Sequence, residues 1–205
     1  MVTFFSVSRK AGVTAEQTKG RLVDAAAHVF AEHGYEGARV SEIARAAGVT
    51  TGAIYAHYEN KSDLLCEAIR SHGSDALASL LSSEGGPPLA EMLIALCASL
   101  PYSDKGDGCL LVEAVVASRR DRGVARFLRH DVAAREAFVA RLIRAAQARG
   151  ELDPTVPTNA VARLCTTLAL GSLVIKALHL TSPDTGDWTE VMRRLVGSIQ
   201  AEERQ

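Results

Sequence analysis

Neither sign of charge prevails in this chain: 23 lysines and arginines stand against 24 aspartates and glutamates, a formal net charge of −1. A protein that holds polyanions by bulk charge is thereby excluded, and any nucleic-acid contact has to come from local geometry. Only four cysteines occur, Cys66, Cys97, Cys109 and Cys165. They form no CxxC and no zinc-spaced set with histidine, so neither a metal site nor a disulfide framework is expected. The plain expectation is free, mostly buried thiols in a reducing cytoplasm. There is no glycine-rich phosphate loop, no HExxH and no GxSxG, which argues against an enzyme and leaves no cofactor to expect. The N-terminal apolar run precedes its basic residues, the wrong order for a secretory signal. The most apolar stretch, Leu164 to Leu180, contains Lys176 and His179 and falls short of a bilayer span, so a cytoplasmic protein without a membrane partner is expected. Internal repeats, low-complexity tracts and period-2 alternation are missing as well.

What remains is helical periodicity from end to end. At 47% hydrophobic and 23% charged residues over 205 positions, the chain suits one packed domain or two small ones. Leu22, Ala26, Val29, Phe30 and His33 mark one face of a first helix, with Gly34 suited to its C-cap. A second helix is expected over Val40–Ala47, stopping at Gly48, and a very short third over Thr51–His57. A fourth starts near Asn60, where Asn60 and Asp63 serve free amides of the first turn, and runs through Ala76 and Leu80. The Gly/Pro-rich stretch at 82–88 breaks the chain. Further helices are expected over Leu89–Leu100, Cys109–Arg120, Arg122–Arg149, Thr158–Leu180 and Trp188–Glu203. The class is all-α with about nine helices.

The eighth helix is apolar nearly all round, which demands cover on more than one side. Leu170, Leu173, Val174 and Ala177 of that helix, with Trp188, Met192, Leu195 and Ile199 of the last, are expected to pair with their copies in a two-fold four-helix interface. The alternative is that both helices only complete the subunit's own core.

Residues 40–58 hold the parts of a helix-turn-helix. Ala44 is small where the first helix must admit the second, and Gly48 supplies the positive φ of the tight turn. Ile43, Val49 and Ile54 pin both helices to the first helix, and Thr50 is placed to cap the third. Thr51, Gly52 and Ala53 are small enough for that helix to press its N-terminal end into a major groove.

Ala26 to Tyr35, Ile43 to Tyr58, and Asn60-Lys61 with Leu64-Leu65 together resemble the DNA-binding domain of the TetR (tetracycline-repressor-like) family of bacterial transcriptional regulators. The resemblance implies a flexible arm over 1–17, a helix-turn-helix domain over 18–63, and a helical effector-binding and dimerisation domain over 64–205. It also implies that Thr50, Thr51, Gly52 and Ala53 meet base edges and nearby phosphates, that Tyr55 and His57 bond the DNA backbone, and that Lys61 pairs with phosphate. Tyr55 as a core aromatic, His57 as a helix cap and Lys61 as a solvated charge are the alternatives. One position departs from the family: Arg39 stands where threonine usually caps the second helix. Arginine cannot accept an amide hydrogen, so Ser41 or water is expected to substitute, while Arg39 keeps its reach to a phosphate.

The implied activity is that of a dimeric, sequence-specific regulator, a repressor released from double-stranded operator DNA by a small, mainly hydrophobic effector. Leu96, Leu100, Val112, Val116, Phe127, Phe138, Leu168 and Ser172 are the expected lining of its pocket. Glu113 is either a polar anchor there or part of an exposed face with Ala117 and Arg120. A regulator without an effector and a helical enzyme or binding protein are the rival readings.

Overall fold

In a computed structural model, residues 15–72, 88–102 and 108–201 are described, and they are helical throughout, with nine α-helices and one isolated β-bridge among them. They divide into two compact units that meet between Ser71 and His72.

The first unit begins with α1 (Ala15–Gly37). Its Leu22, Val23, Ala26, Val29 and Phe30 recur at helical spacing and are buried. His33, expected on that face, is exposed, because Gly34 (φ 70°) takes the backbone out of the helix one residue later. Tyr35 then folds back, its ring 5.9 Å from that of Phe30. The helix α2 (Val40–Ala47) ends at Gly48, whose φ of 67° is the left-handed conformation expected of it. The Gly48 and Val49 amides donate back to the Arg45 and Ala44 carbonyls at 3.2 and 2.9 Å, closing a Schellman turn. The five-residue α3 (Thr51–Tyr55) is shorter than expected; His57 and Tyr58 both donate to the Ile54 carbonyl in a closing turn instead. In α4 (Lys61–His72) the Asn60 carboxamide oxygen accepts from the Asp63 amide at 2.9 Å, as expected of an N-cap. Continuation of that helix through Ala76 and Leu80 falls outside the described residues, as does most of the 82–88 break. Phe30, Leu22, Ile43, Ile54, Leu64 and Leu65 form the centre of this unit, each at most 1% exposed.

The second unit comprises α5 (Leu89–Ser99), which runs on as a 3-10 turn to Tyr102, then α6 (Gly108–Ala117), α7 (Arg122–Ala148), α8 (Thr158–Ala177) and α9 (Thr185–Gly197). The Asp121 carboxylate caps α7 and that of Asp184 caps α9. The Asp184 cap starts α9 three residues ahead of the expected Trp188, and the helix stops at Gly197 rather than Glu203. Helix α8 packs on α7 and α6, and α9 on α5. Leu89, Leu93, Val139, Ile143, Leu152, Ala162 and Val196 make the common core. Glu151 fastens one end of it by accepting from the Leu89 amide at 2.9 Å, serving an orphan donor of α5.

The α8 span, Thr158–Ala177, is long enough and apolar enough to cross a membrane by length and composition, with only 11% of its most apolar window buried. The stretch from Leu164 to Leu180, which falls short of a span, starts six residues inside this helix. Arg163 on α8 is held by Glu136 on α7 through two hydrogen bonds, and the helix packs against α5, α6 and α7 of its unit.

Candidate nucleic-acid interface

Three local devices position α3. The Schellman turn at Gly48 sets its direction. Ile54, 1% exposed, anchors it in the core, where Ile43 and Ala44 of α2 are buried as well. The Thr50 hydroxyl accepts the Ala53 amide at 3.2 Å, which is the cap expected there. With one face held, the other is presented: Thr51, Gly52, Tyr55 and His57 are exposed and Ala53 is half-buried. Tyr55 is 55% exposed, so the core-aromatic reading fails. The core aromatic is Tyr58, at 8%, whose hydroxyl has no partner among the described residues.

Arg39 is the N-cap residue of α2 and contributes no side-chain cap. Glu42, not Ser41, makes up for this: its carboxylate reaches back to accept from the Arg39 amide at 3.2 Å, half of a capping box. The Arg39 and Ser41 side chains lie exposed and do not serve the cap. The sequence carried the signal, an acidic residue three positions after the cap.

Lys61 is placed differently from a free phosphate-seeking lysine. Its ammonium donates to the carbonyls of Tyr35, Ala38 and Glu36 at 2.6, 3.3 and 3.5 Å and lies 4.5 Å from the centre of the Tyr35 ring. An ammonium has three hydrogens, and three carbonyls at the end of α1 take them. Nothing in the spacing of residues 60–65 foretold this, since the acceptors lie 23 to 26 positions upstream.

Beside Gly48 is an open cleft of about 530 Å³ between α1 and α2, lined among others by Arg21, Asp24, His28 and Arg45. Its basic side chains lie on the same small unit as α3 and were not among the expected contacts. The expected flexible arm over 1–17 falls outside the described residues except for 15–17, which begin α1. In the same unit, Glu67 of α4 is gripped by Lys19 of α1 at 2.8 Å and by Arg70. The hydrogen bond from Lys19 is the main cause holding the Glu67 carboxyl below its ordinary range.

In the second unit, Leu96, Leu100, Val112, Phe127, Phe138, Leu168 and Ser172 are half-buried, while Val116 is 50% exposed. None of these eight lines the cleft of about 500 Å³ that α6, α7 and α8 form around Val115, Leu128, Val132 and Arg163. Glu113 is half-buried and Ala117 is 3% exposed, so the exposed face that would have joined Glu113, Ala117 and Arg120 does not form. The stripe expected on the last helix is split. Met192 and Val196 are buried in the subunit, and the Trp188 indole donates to the Cys97 carbonyl of α5 at 3.1 Å. Ile199 packs against the same core. Val191 and Leu195 point away, 49% and 48% exposed, as do Leu164, Val174, Ile175, Leu178 and Leu180 on and after α8. Leu170, Leu173 and Ala177 are half-buried.

A capped, outward-facing helix stub carried on a glycine turn defines a helix-turn-helix DNA-binding protein, here joined to a separate all-helical unit. Comparison with known proteins agrees. Residues 22–68 match the family model described as bacterial regulatory proteins, tetR family. The HTH-type transcriptional regulator UidR of Escherichia coli K12 is 27% identical over 90% of this chain and 94% of its own length. Over shorter spans the identity is higher: 43% with the regulator AcrR of Shigella flexneri, covering 30% of this chain and 28% of that one. Among solved structures, Salmonella enterica GusR superposes with a TM-score of 0.77 at 23% identity, covering 91% of this chain and 97% of that one. A putative TetR-family regulator from Rhodococcus does so at 0.76 and 22%, covering 91% and 100%. Residues 22–68 are thus a DNA-binding region of the TetR type, and over nearly its whole length the chain is similar to transcriptional regulators rather than to enzymes.

Proposed function

We propose that this regulator is a homodimeric repressor that holds operator DNA through two copies of α3 and is released by a small, mainly hydrophobic effector bound in the second unit. The observation that carries the DNA part is the α3 surface: small or polar Thr50, Thr51, Gly52 and Ala53 at its N-terminal end, with exposed Tyr55 and His57 one turn on. Outward amides and small side chains suit entry into a major groove, while Tyr55, His57, Arg39 and Ser41 flank it at positions for backbone contact. Lys61 acts by bracing the end of α1 against α4, so its contribution to DNA binding runs through the shape of the unit.

The dimer rests on the outward apolar side chains of α8 and α9. Exposed apolar side chains in such number ordinarily mark an interface, and two such helices with their copies make a four-helix bundle. Val191 and Leu195, together with Leu170, Leu173, Val174 and Ala177, are its proposed centre; Trp188, Met192 and Ile199 support it from within. A two-fold protein needs half-sites about one turn apart, roughly 34–36 Å. An effector that disturbs this spacing weakens DNA binding and, by linkage, binds the DNA-bound form less tightly by the same factor. Half-buried apolar residues on α5 to α8, Leu96, Val112, Phe127, Phe138 and Leu168 among them, are the proposed effector contacts, with Leu100, Val116 and Ser172 at the margins.

Sequencing the genomic fragments that the purified protein captures tests the reading directly. A two-fold sequence with half-sites one turn apart is expected, and Tyr55→Ala should weaken its binding several-fold without changing the fold. Capture of fragments with no common sequence would refute it.

A further inference from the structure

The open cleft of about 500 Å³ where α6, α7 and α8 meet falls within the roughly 300–1,000 Å³ that small-molecule sites occupy. Its lining has two chemistries. Val115, Ala125, Leu128, Val132 and Ala133 supply an apolar floor, on which Leu128 is 7% and Val115 51% exposed. Arg119, Arg129 and Arg163 bring three guanidinium groups to the same cleft against one carboxylate, that of Glu136. Glu136 is already engaged, since both of its oxygens accept from Arg163. The Ser118 hydroxyl is engaged too, donating to the Val115 carbonyl at 2.7 Å. Arg119 and Arg129 are left, both exposed and without an ion pair among the described residues. Their surroundings repeat the pattern. Arg120, Arg122 and Arg126 are likewise exposed and without an ion pair among the described residues. Arg122 and Arg126 precede Arg129 by seven and three positions and so share its face of α7. The other acidic residues between positions 118 and 136 have other duties. Asp121 caps α7 through the Gly123 and Val124 amides, and Asp131 accepts from Arg135 at 2.9 Å. An apolar floor is thus rimmed by positive charge that the described residues do not neutralise.

We propose that this cleft is a binding site for small organic anions with an apolar body, such as medium-chain carboxylates or aryl sulfonates. The charged head pairs with Arg119 and Arg129, whose planar guanidinium groups match the paired oxygens of such a head. The apolar body covers Val115, Leu128 and Val132. Neither half suffices by itself. An ion pair left in water contributes little, and an uncharged apolar molecule leaves the arginines as they were. Covering the floor beside the ion pair excludes water from it and so strengthens the attraction. Sign of charge is the selective feature, because a cation of the same size meets the arginine rim as a like charge. The site shares no residue with the effector contacts proposed above and does not rest on that reading.

The test uses the full chain and a fluorescent anion, anilinonaphthalene sulfonate, with phenylnaphthylamine as its uncharged counterpart. Arg119→Gln combined with Arg129→Gln removes two exposed charges, so the fold should survive, which a melting curve checks. In that variant affinity for the sulfonate should fall about tenfold or more, while affinity for the amine stays within about twofold. Val115→Asp, which puts a negative charge on an exposed floor residue, should weaken the sulfonate as well. Octanoate should displace the sulfonate from the unaltered protein, and octanol should not. The proposal is overturned if the unaltered protein does not bind the sulfonate, or if the double variant binds it equally tightly. Parallel loss of the amine, or displacement by octanol as effective as by octanoate, would also overturn it. Should the double variant fail to fold, Val115→Asp and the comparison of octanoate with octanol decide. None of these measurements involves DNA, so their failure leaves the effector reading standing, and failure of that reading leaves them untouched.

Discussion

At the scale of single residues, Gly52 and Lys61 separate fold from function. A Cβ on Gly52 would meet only the Thr50 hydroxyl oxygen at 3.8 Å, an ordinary contact. Gly52→Ala should therefore keep or slightly raise stability, by up to about 1 kcal/mol from helix propensity. If the α3 surface enters a groove, the same methyl group should weaken operator binding about tenfold or more. Paired melting curves and gel shifts check this; unchanged binding would mean that Gly52 does not approach DNA. For Lys61→Met the order reverses. Three carbonyls lose a charged donor, and the first unit should lose about 1–3 kcal/mol while the salt dependence of DNA binding keeps its slope. A slope reduced by about one would instead show a direct phosphate contact. Tyr58→Phe removes a buried hydroxyl that has no partner among the described residues, so denaturant unfolding should show a neutral change or a gain of up to about 1 kcal/mol.

At the scale of elements, α1 and α4 are joined at their flank by Glu67 with Lys19 and Arg70. Because the folded Glu67 carboxyl is held low, first by the hydrogen bond from Lys19, its stabilisation is fully present above the unfolded value of about 4.3. It is lost as pH falls through the depressed folded value. Glu67→Gln should accordingly melt below the unaltered protein at pH 7, and the gap should close toward pH 3. A gap that persists in acid would assign the effect to packing. The elements also show how much a cap decides. Asp184 begins α9 before its apolar stripe starts, and Glu42 holds α2 although Arg39 cannot.

At the scale of the whole molecule, the proposed assembly depends on the outward faces of α8 and α9. Leu195→Glu places a charge on a side chain that is 48% exposed in the single subunit. Subunit folding should survive, since exposed positions away from special features usually change stability by less than about 0.5 kcal/mol. Light scattering should then report a single subunit, with operator affinity falling steeply because two linked half-sites become one. A stable dimer of this variant would remove Leu195 from the interface. A substitution at Met192, by contrast, would damage the subunit's own core and say nothing of assembly.

Periodicity, glycine and capping residues were enough to determine an all-helical chain, the order of its helices and the helix-turn-helix with its turn at Gly48 and its cap at Thr50. These are short-range properties, written in spacings of three to five residues. Packing decided the rest. A stripe such as Trp188, Val191, Met192 and Leu195 shows that a helix has an apolar side, but not which part meets α5 and which part faces outward. Equally, the meeting of Lys61 with the carbonyl groups at the end of α1, and of the Trp188 indole with the Cys97 carbonyl, joins residues tens of positions apart. Only the folded arrangement of helices brings such distant groups within bonding distance, so no local pattern announces them.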